Sequence, residues 1–484
     1  MSSTCVPSVL VSRSPAPPRR WRRARLRCCC LLLPAGCGFA AYRPQPLDAR
    51  ATLAEAGEQR ATLPDGLAPG QVLTFAGATD RLRDRNAELR TRIAEVVRAR
   101  AVAAVPTPWL QASLQVGPNI GLGDLDGHRI VPFVQLGLTL PTAGKRAGQD
   151  DLLVAQAEVA RIVAAVTFRQ AWLELRRRWI EVAWARRGVV LRRGVADAAA
   201  LALQAVRELV EAGAATALDV SLLAVGEARA RAEVTAGERD AAMAEAALRE
   251  LLDVALAAPM LLAEVQPPAL PAVPTLDDLR ARLVDHHPEL LRLRAEYVAA
   301  ERSLRLEVAQ QYPDVTFGPS WGGEVNESYH ILGLPLGIDL PLFARNQRGV
   351  AAACAARTEA RVRYEVACSR ALARVERARV EIGLAARRAE ELRERVLPLA
   401  ATGADAARRA LLAGVGDALA LRQAQRELQE VEVSRHAAAG DLYAAWFALE
   451  EAVGCPLLDL GGTSYPRLPD ELAPLVRSGN EEDA

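Results

Sequence analysis

Lysine is almost absent from this 484-residue chain: Lys145 stands alone, and arginine supplies the rest of its 60 basic side chains. We read that as compositional bias without functional weight. No run of about 18 apolar residues occurs, so no helix is expected to span a membrane; if the chain crosses a bilayer, it does so as a β-barrel. The net charge of +1 excludes an electrostatic nucleic-acid binder and an acidic tail protein. Aromatic residues make up only 4%, and Ala, Leu, Val, Arg and Glu dominate, a mix suited to long helices packed side by side. The three methionines offer no material for a Met-lined copper path. Phosphate loops, nucleophile elbows and zinc-type His/Glu pairs are missing, so neither an enzyme nor a cofactor is expected. His286 and His287 are adjacent and point to different parts of a helix surface, so they mark a helix's first turn rather than a ligand pair.

The cysteines make no disulfide framework. Cys5, Cys28, Cys29, Cys30 and Cys37 crowd the N-terminus, and Cys455 stands by itself. Cys354 and Cys368 lie about 21 Å apart along one expected helix, too far to bridge. The N-terminus has the pattern of an export signal. Arg19, Arg20, Arg22, Arg23, Arg25 and Arg27 precede the short apolar stretch Cys28–Leu33 and then Pro34-Ala35-Gly36-Cys37. Small residues before Cys37 resemble a bacterial lipobox, which would make Cys37 a lipidation site. Leu33, however, lies four residues before the cysteine instead of three. Cleavage near Ala40 or Ala41 is the competing reading.

What the chain does contain is a repeat. Asn86-Ala87-Glu88-Leu89 matches His287-Pro288-Glu289-Leu290, Gly137-Leu138-Thr139-Leu140-Pro141 matches Gly337-Ile338-Asp339-Leu340-Pro341, and Gly213 matches Gly414. The offsets (86 to 287, 137 to 337, 213 to 414) are 201, 200 and 201 residues, and a fixed period decides architecture before other signals do. The expected organisation is a signal or lipobox-like segment (1–37), a linker (38–73), a first repeat (74–258), a linker (259–274), a second repeat (275–456) and a tail (457–484). Each repeat reads as a helix, two strands and a long helical hairpin.

Within the first repeat, residues 74–104 have helical periodicity until Pro106 and Pro108. Leu110, Ala112, Leu114 and Val116 then alternate with polar residues, as do Val134, Leu136, Leu138 and Leu140. In the second repeat the alternating sets are Val315, Phe317, Pro319, Trp321 and Leu332, Leu334, Leu336, Ile338, Leu340. These runs have the length of tilted membrane strands, with one apolar face and one small, polar face. An ordinary antiparallel sheet with one buried face gives the same alternation. Pro319 and Pro335 disfavour a central place in a sheet. Four strands cannot close a membrane barrel, so bilayer-crossing strands would require several chains in cyclic symmetry.

The helical stretches follow. Leu152, Val159, Val166, Leu173 and Ile180 recur every seven residues, as do Cys368, Val375, Ile382, Ala389 and Val396. A sustained seven-residue repeat predicts supercoiled neighbours. Breaks at Gly213 and at Gly414-Val415-Gly416 fold each stretch into two antiparallel helices meeting at a tip.

At this point the sequence resembles the bacterial outer-membrane efflux family typified by TolC, including its lipoprotein and heavy-metal branch. The resemblance rests on the doubled spacing, on Ala413-Gly414-Val415-Gly416-Asp417-Ala418-Leu419-Ala420-Leu421 followed by Gln423-Ala424-Gln425, on Leu340-Pro341-Leu342-Phe343, and on Leu449-Glu450-Glu451-Ala452-Val453-Gly454. It implies a mainly α chain with a small β part, assembling as a homotrimer with a twelve-stranded membrane barrel and a periplasmic helical tunnel. It also implies the outer-membrane channel component of a tripartite efflux or secretion system, a passive conduit for small molecules or ions in contact with outer-membrane lipid, a periplasmic adaptor and an inner-membrane pump that drives it. The adaptor-contact tips would be Gly213, Gly414 and Gly416. Family members often carry acids at the sixth and ninth positions after the second tip glycine, where they constrict the aperture. Here those positions are Ala420 and Gln423; Asp219 occupies the sixth position in the first repeat, and Asp417 lies nearby. Asp219, Asp417 and Gln423 are therefore the aperture candidates, although Asp219 and Asp417 equally suit helix-start capping. The alternative from another class is a periplasmic coiled-coil adaptor or structural envelope protein, which normally has one hairpin instead of two.

Overall fold

The computed structural model describes residues 42–61, 72–121, 129–213, 216–263, 267–323, 330–413, 415, 418–460 and 466. The chain divides into two compact units, 1–54 and 55–484. In the described part of the first, an extended stretch turns into helix α1 (Ala49–Ala61). Asp48 starts it, its carboxylate accepting the N–H groups of Arg50 and Ala51 at 2.9 and 3.2 Å.

The second unit begins with β1 (Val72–Leu73), α2 (Phe75–Arg85) and α3 (Ala87–Ala103). The single helix expected over 74–104 is thus two. Asn86 interrupts it and caps α3, its side chain accepting the Leu89 N–H at 2.9 Å. Strands β2 (Gln111–Gly121) and β3 (Arg129–Leu140) follow, then α4 (Lys145–Glu211), α5 (Ala217–Leu251) and β4 (Leu261–Leu262). The short β4 pairs in parallel with β1.

The second half runs α6 (Leu276–His286), α7 (Pro288–Ala309), β5 (Val315–Phe317), β6 (Ser320–Gly323), β7 (His330–Gly333), β8 (Leu336–Ile338), α8 (Gln347–Glu391), α9 (Leu397–Leu412) and α10 (Ala418–Val453). His287 occupies the place of Asn86: its Nδ1 accepts the Leu290 N–H at 3.3 Å, and Pro288 follows at the first helical position. The histidines therefore lie at a helix boundary rather than within one first turn, with His286 ending α6 and His287 capping α7.

Helix α4 has 67 residues, about 100 Å at 1.5 Å per residue. Its counterpart is interrupted by a π turn at Leu392–Val396, where the Leu397 N–H reaches back to the Leu392 carbonyl. Pro398 lies just beyond; without an N–H it cannot continue the regular ladder, and the wider turn makes room for its ring. Among the described residues, no helix is long and apolar enough to cross a membrane.

Two apolar cores form where the helices converge. The first gathers Phe168, Trp172 and Leu175 of α4 with Leu82, Leu89 and Leu248. The second gathers Val375, Ile382, Trp446 and Leu449 with Leu279 and with Ile180 of α4. Between them Arg176 and Glu450, 0% and 1% exposed at the side chain, form a buried ion pair at 2.9 Å. Glu450 Oε1 also accepts the N–H groups of Leu457 and Leu458, each at 2.7 Å, and Arg176 donates to the Leu458 carbonyl at 2.5 Å. The Arg176 guanidinium lies 5.1 Å from the Trp172 ring centroid. Burial of this pair is tolerable because each charge meets the other and several further polar groups.

Candidate functional site

Strands β2, β3 and β5 to β8 form one antiparallel sheet. β2 pairs β3 along its whole length, from Gln111 opposite Thr139 to Gly121 opposite Arg129. β5 and β6 both pair β3, and β8 and β7 pair β5 and β6 in turn. In effect there are four strands, the third (Val315–Gly323) and fourth (His330–Ile338) each interrupted once. The interruptions face each other at Gly318-Pro319 and Leu334-Pro335. Neither proline can donate to the ladder, but both carbonyls accept: Leu136 N–H reaches Pro319 O at 3.0 Å, and Gly318 N–H reaches Pro335 O at 3.3 Å. Pro319 therefore sits in an interior strand, contrary to the sequence expectation, because the ladder is interrupted there without loss of register.

That register keeps two faces separate across all four strands. Ala112, Leu138, Phe317 and Leu336 stand in one row, and Val116, Val134, Trp321 and Leu332 in another. The opposite face carries Gln115, Gln135, Ser320 and Gly333, and then Gln111, Thr139, Thr316 and Gly337. The Thr139 and Thr316 hydroxyls meet at 3.1 Å. The sheet needs glycine at 318, where a Cβ would lie 1.7 Å from the Leu136 carbonyl oxygen. β2 and the fourth strand leave their outer edges without a strand partner among the described residues.

The turn from β3 into α4 is fastened to the start of the third strand. Thr142 N–H and Lys145 Nζ both donate to Asp314 Oδ1, at 3.0 and 2.7 Å, and the Thr142 hydroxyl donates to the Pro313 carbonyl at 2.5 Å. Ala143 and Gly144 take positive φ of 54° and 71° to make the corner. This link between the two halves went unnoticed in the sequence. The isolation of Lys145 among so many arginines was its one signal.

At the far end of α4, Gly213 adopts φ 71° and ends the helix. Thr216 then caps α5 reciprocally: Asp219 N–H donates to Thr216 Oγ1 at 3.3 Å, while Asp219 Oδ2 accepts Thr216 N–H and Oγ1–H at 2.9 and 2.6 Å. These bonds, the hydroxyl's first, hold the Asp219 carboxyl below its ordinary range. Asp219 is thus bound into the tip itself. Gln423 lies exposed on the first turns of α10. Cys37, Gly414, Gly416 and Asp417 lie outside the described residues, so the second tip is represented by its flanking helices, Ala413 and Val415. Among the described residues no group of three His, Cys, Asp or Glu side chains is placed to hold a metal ion.

Residues 279–455 match the family model described as outer membrane efflux protein. The chain is 28% identical over 331 residues to the cobalt-zinc-cadmium resistance protein CzcC of Cupriavidus metallidurans, covering 66% of this chain and 76% of that protein. Among solved structures, it resembles a membrane protein from Pseudomonas aeruginosa with a TM-score of 0.65 at 21% identity, covering 78% of this chain and 90% of that one. It resembles CusC, described in connection with transmembrane channel formation, with a TM-score of 0.64 at 16% identity, covering 78% and 92%. The outer-membrane protein VceC of Vibrio cholerae follows at a TM-score of 0.62 and 16% identity, covering 78% and 96%.

Proposed function

From the match of residues 279–455 to the outer membrane efflux protein model and the likeness to CzcC, we propose that this chain is an outer membrane efflux protein and works as one third of a trimeric conduit. It is the outer-membrane channel component of a tripartite efflux system and extends from the outer membrane into the periplasm. The observation that carries the trimer is the four-stranded sheet with two open edges. Unpaired N–H and C=O groups are not tolerated in lipid, and four strands are too few to close. Three copies supply twelve, with the unbroken edge of β2 meeting the interrupted edge of a neighbour's fourth strand. The apolar rows then face lipid and the Gln, Ser, Thr and Gly rows face the lumen.

In this reading the chain has no enzymatic activity. An inner-membrane pump supplies the energy and a periplasmic adaptor joins the two, meeting the tunnel at tips that include Gly213, Gly414 and Gly416. Asp219, Asp417 and Gln423 belong to the aperture, with Asp219 acting through the shape and charge of a capped turn. The likeness to CzcC favours a metal-exporting system, in which the pump selects the ion. Cys37 is the acylation site of the mature N-terminus.

The test is the mass of the detergent-extracted particle together with single-channel conductance in planar bilayers. A trimer with a stable open conductance is expected; a monomer that stays in solution without detergent would overturn the reading. Mass spectrometry of the mature N-terminus decides the lipid: an unmodified start after residue 37 removes the anchor.

A further inference from the structure

Midway along the helices, α4, α5 and α10 diverge around a cavity of about 630 Å³. That volume suits an organic molecule rather than an ion or water. Its walls are mainly apolar, with Ile180, Leu191, Met243, Val433 and Phe447 among them. One side is an aromatic platform. Trp184 stacks on His436 with ring centroids 4.6 Å apart and planes 3° from parallel, and Tyr443 leans against Trp184 at 5.4 Å. Trp184 Nε1–H donates to the His436 carbonyl at 3.3 Å. The platform depends on Gly440, where a Cβ would lie 2.6 Å from Trp184 Nε1, and on Gly188, where it would lie 3.1 Å from His436 Nε2.

The charges lining this cavity are unevenly matched. Glu181 is held by Arg177 and Arg178, Asp240 by Arg239, and Asp441 by Arg388. Arg192 has no such acid: its Nε is buried without a hydrogen-bond partner among the described residues. Its guanidinium is tucked against the bare backbones of Gly188 and Gly237, at 3.1 Å from where either Cβ would stand. His436 reports the same field. Burial first, and then the charges of Arg192, Arg435 and Arg187, push its imidazole below the ordinary range against the opposing backbone hydrogen bond with Trp184. A buried donor of this kind is costly to leave unmatched, and an anion is what matches it.

We propose that this recess is a binding site for an amphiphilic organic anion, whose apolar body lies against the Trp184–His436 platform and whose acidic head pairs with Arg192. Such a site lies in the helix wall, away from tip and sheet.

Two probes with the same body separate the terms: anilinonaphthalene sulfonate, which carries the anion, and N-phenylnaphthylamine, which does not. Each is titrated by fluorescence into the assembled protein in nanodiscs of zwitterionic lipid, with empty discs subtracted. Saturable binding of the sulfonate is expected. Arg192→Gln should weaken it about tenfold or more and leave the neutral probe unchanged. Met243→Trp, at a side chain 65% exposed and so harmless to folding, should fill the recess and weaken both. Absence of saturable sulfonate binding, as when a neighbouring subunit fills the recess, would overturn the proposal. So would an Arg192→Gln protein that binds the sulfonate as before or loses both probes equally, or a Met243→Trp protein that binds both as before.

Discussion

Glu450→Ala is expected to release the segment after α10. One carboxylate oxygen of Glu450 holds the N–H groups of Leu457 and Leu458, and both oxygens face Arg176. Removing the side chain orphans the buried Leu458 amide, at about 1–3 kcal/mol, and the half-buried Leu457 amide at less, and strands a guanidinium that is 0% exposed. Breaking one side of a buried pair costs about 3–5 kcal/mol as a whole, so these contributions overlap rather than add. The local readout is hydrogen exchange at Leu457 and Leu458, which should quicken about ten- to a hundredfold for a loss of about 1.4–2.8 kcal/mol. Glu450→Gln keeps an acceptor for the amides and loses the charge, so its effect on those two amides should be smaller. A cycle with Arg176→Met separates the pair from the amides. The double variant should cost less than the sum of the singles, by about 0.5–3 kcal/mol, because neither partner is then stranded. Unchanged exchange at both leucines in Glu450→Ala, with the helices intact, would refute the reasoning.

Three further outcomes are expected. Gly318→Ala should abolish the folded, heat-modifiable form on gels, at the severe end of single substitutions (about 4 kcal/mol or more), because its Cβ would meet the Leu136 carbonyl oxygen at 1.7 Å. Gly213→Ala should cost about 1–2 kcal/mol for the left-handed backbone, whereas Gly213→Trp should cut pump-dependent export more than it lowers the melting temperature of the purified channel; normal export would count against the tip assignment. His287 is pushed below its ordinary pKa, first by burial and then by Arg374. The unfolded chain therefore takes up this proton before the folded one does, and the associated stability is lost as pH falls from about 6.5 towards the lower folded value. The urea midpoint should drop on acidification through that window, and less so in His287→Asn, which keeps a cap without titrating.

The helical stripe was legible because packing alone dictates it. Val166, Leu173, Ile180, Val375 and Ile382 repeat every seven residues, and all five are buried. The strands were legible for the same reason, since the register keeps each alternating set on one face. What escaped were places where polar chemistry overrides the pattern. Asn86 and His287 break helices that periodicity would continue, because their side chains satisfy an N–H that the new helix exposes. Arg176 falls three residues after Leu173, on the core-facing stripe, where an arginine signals a buried partner; the sequence gives no means of telling which of the many glutamates that partner is. The cavity beside Arg192 depends on three helices diverging, and on glycines from α4, α5 and α10 that approach only in space. Of the candidate residues, Asp219 was legible as a cap from its position two residues into α5, as the capping box bears out.

The lone lysine has a consequence in reagent chemistry. Apart from the α-amino group, an amine-acylating reagent finds one target in the chain, and it is the ammonium bridging to Asp314 at the corner between sheet and helices. That side chain is 17% exposed, so opening of the corner should speed its reaction. The rate of labelling at Lys145 therefore reports on the joint between the sheet and the helices, read in the natural protein without introducing a single foreign residue.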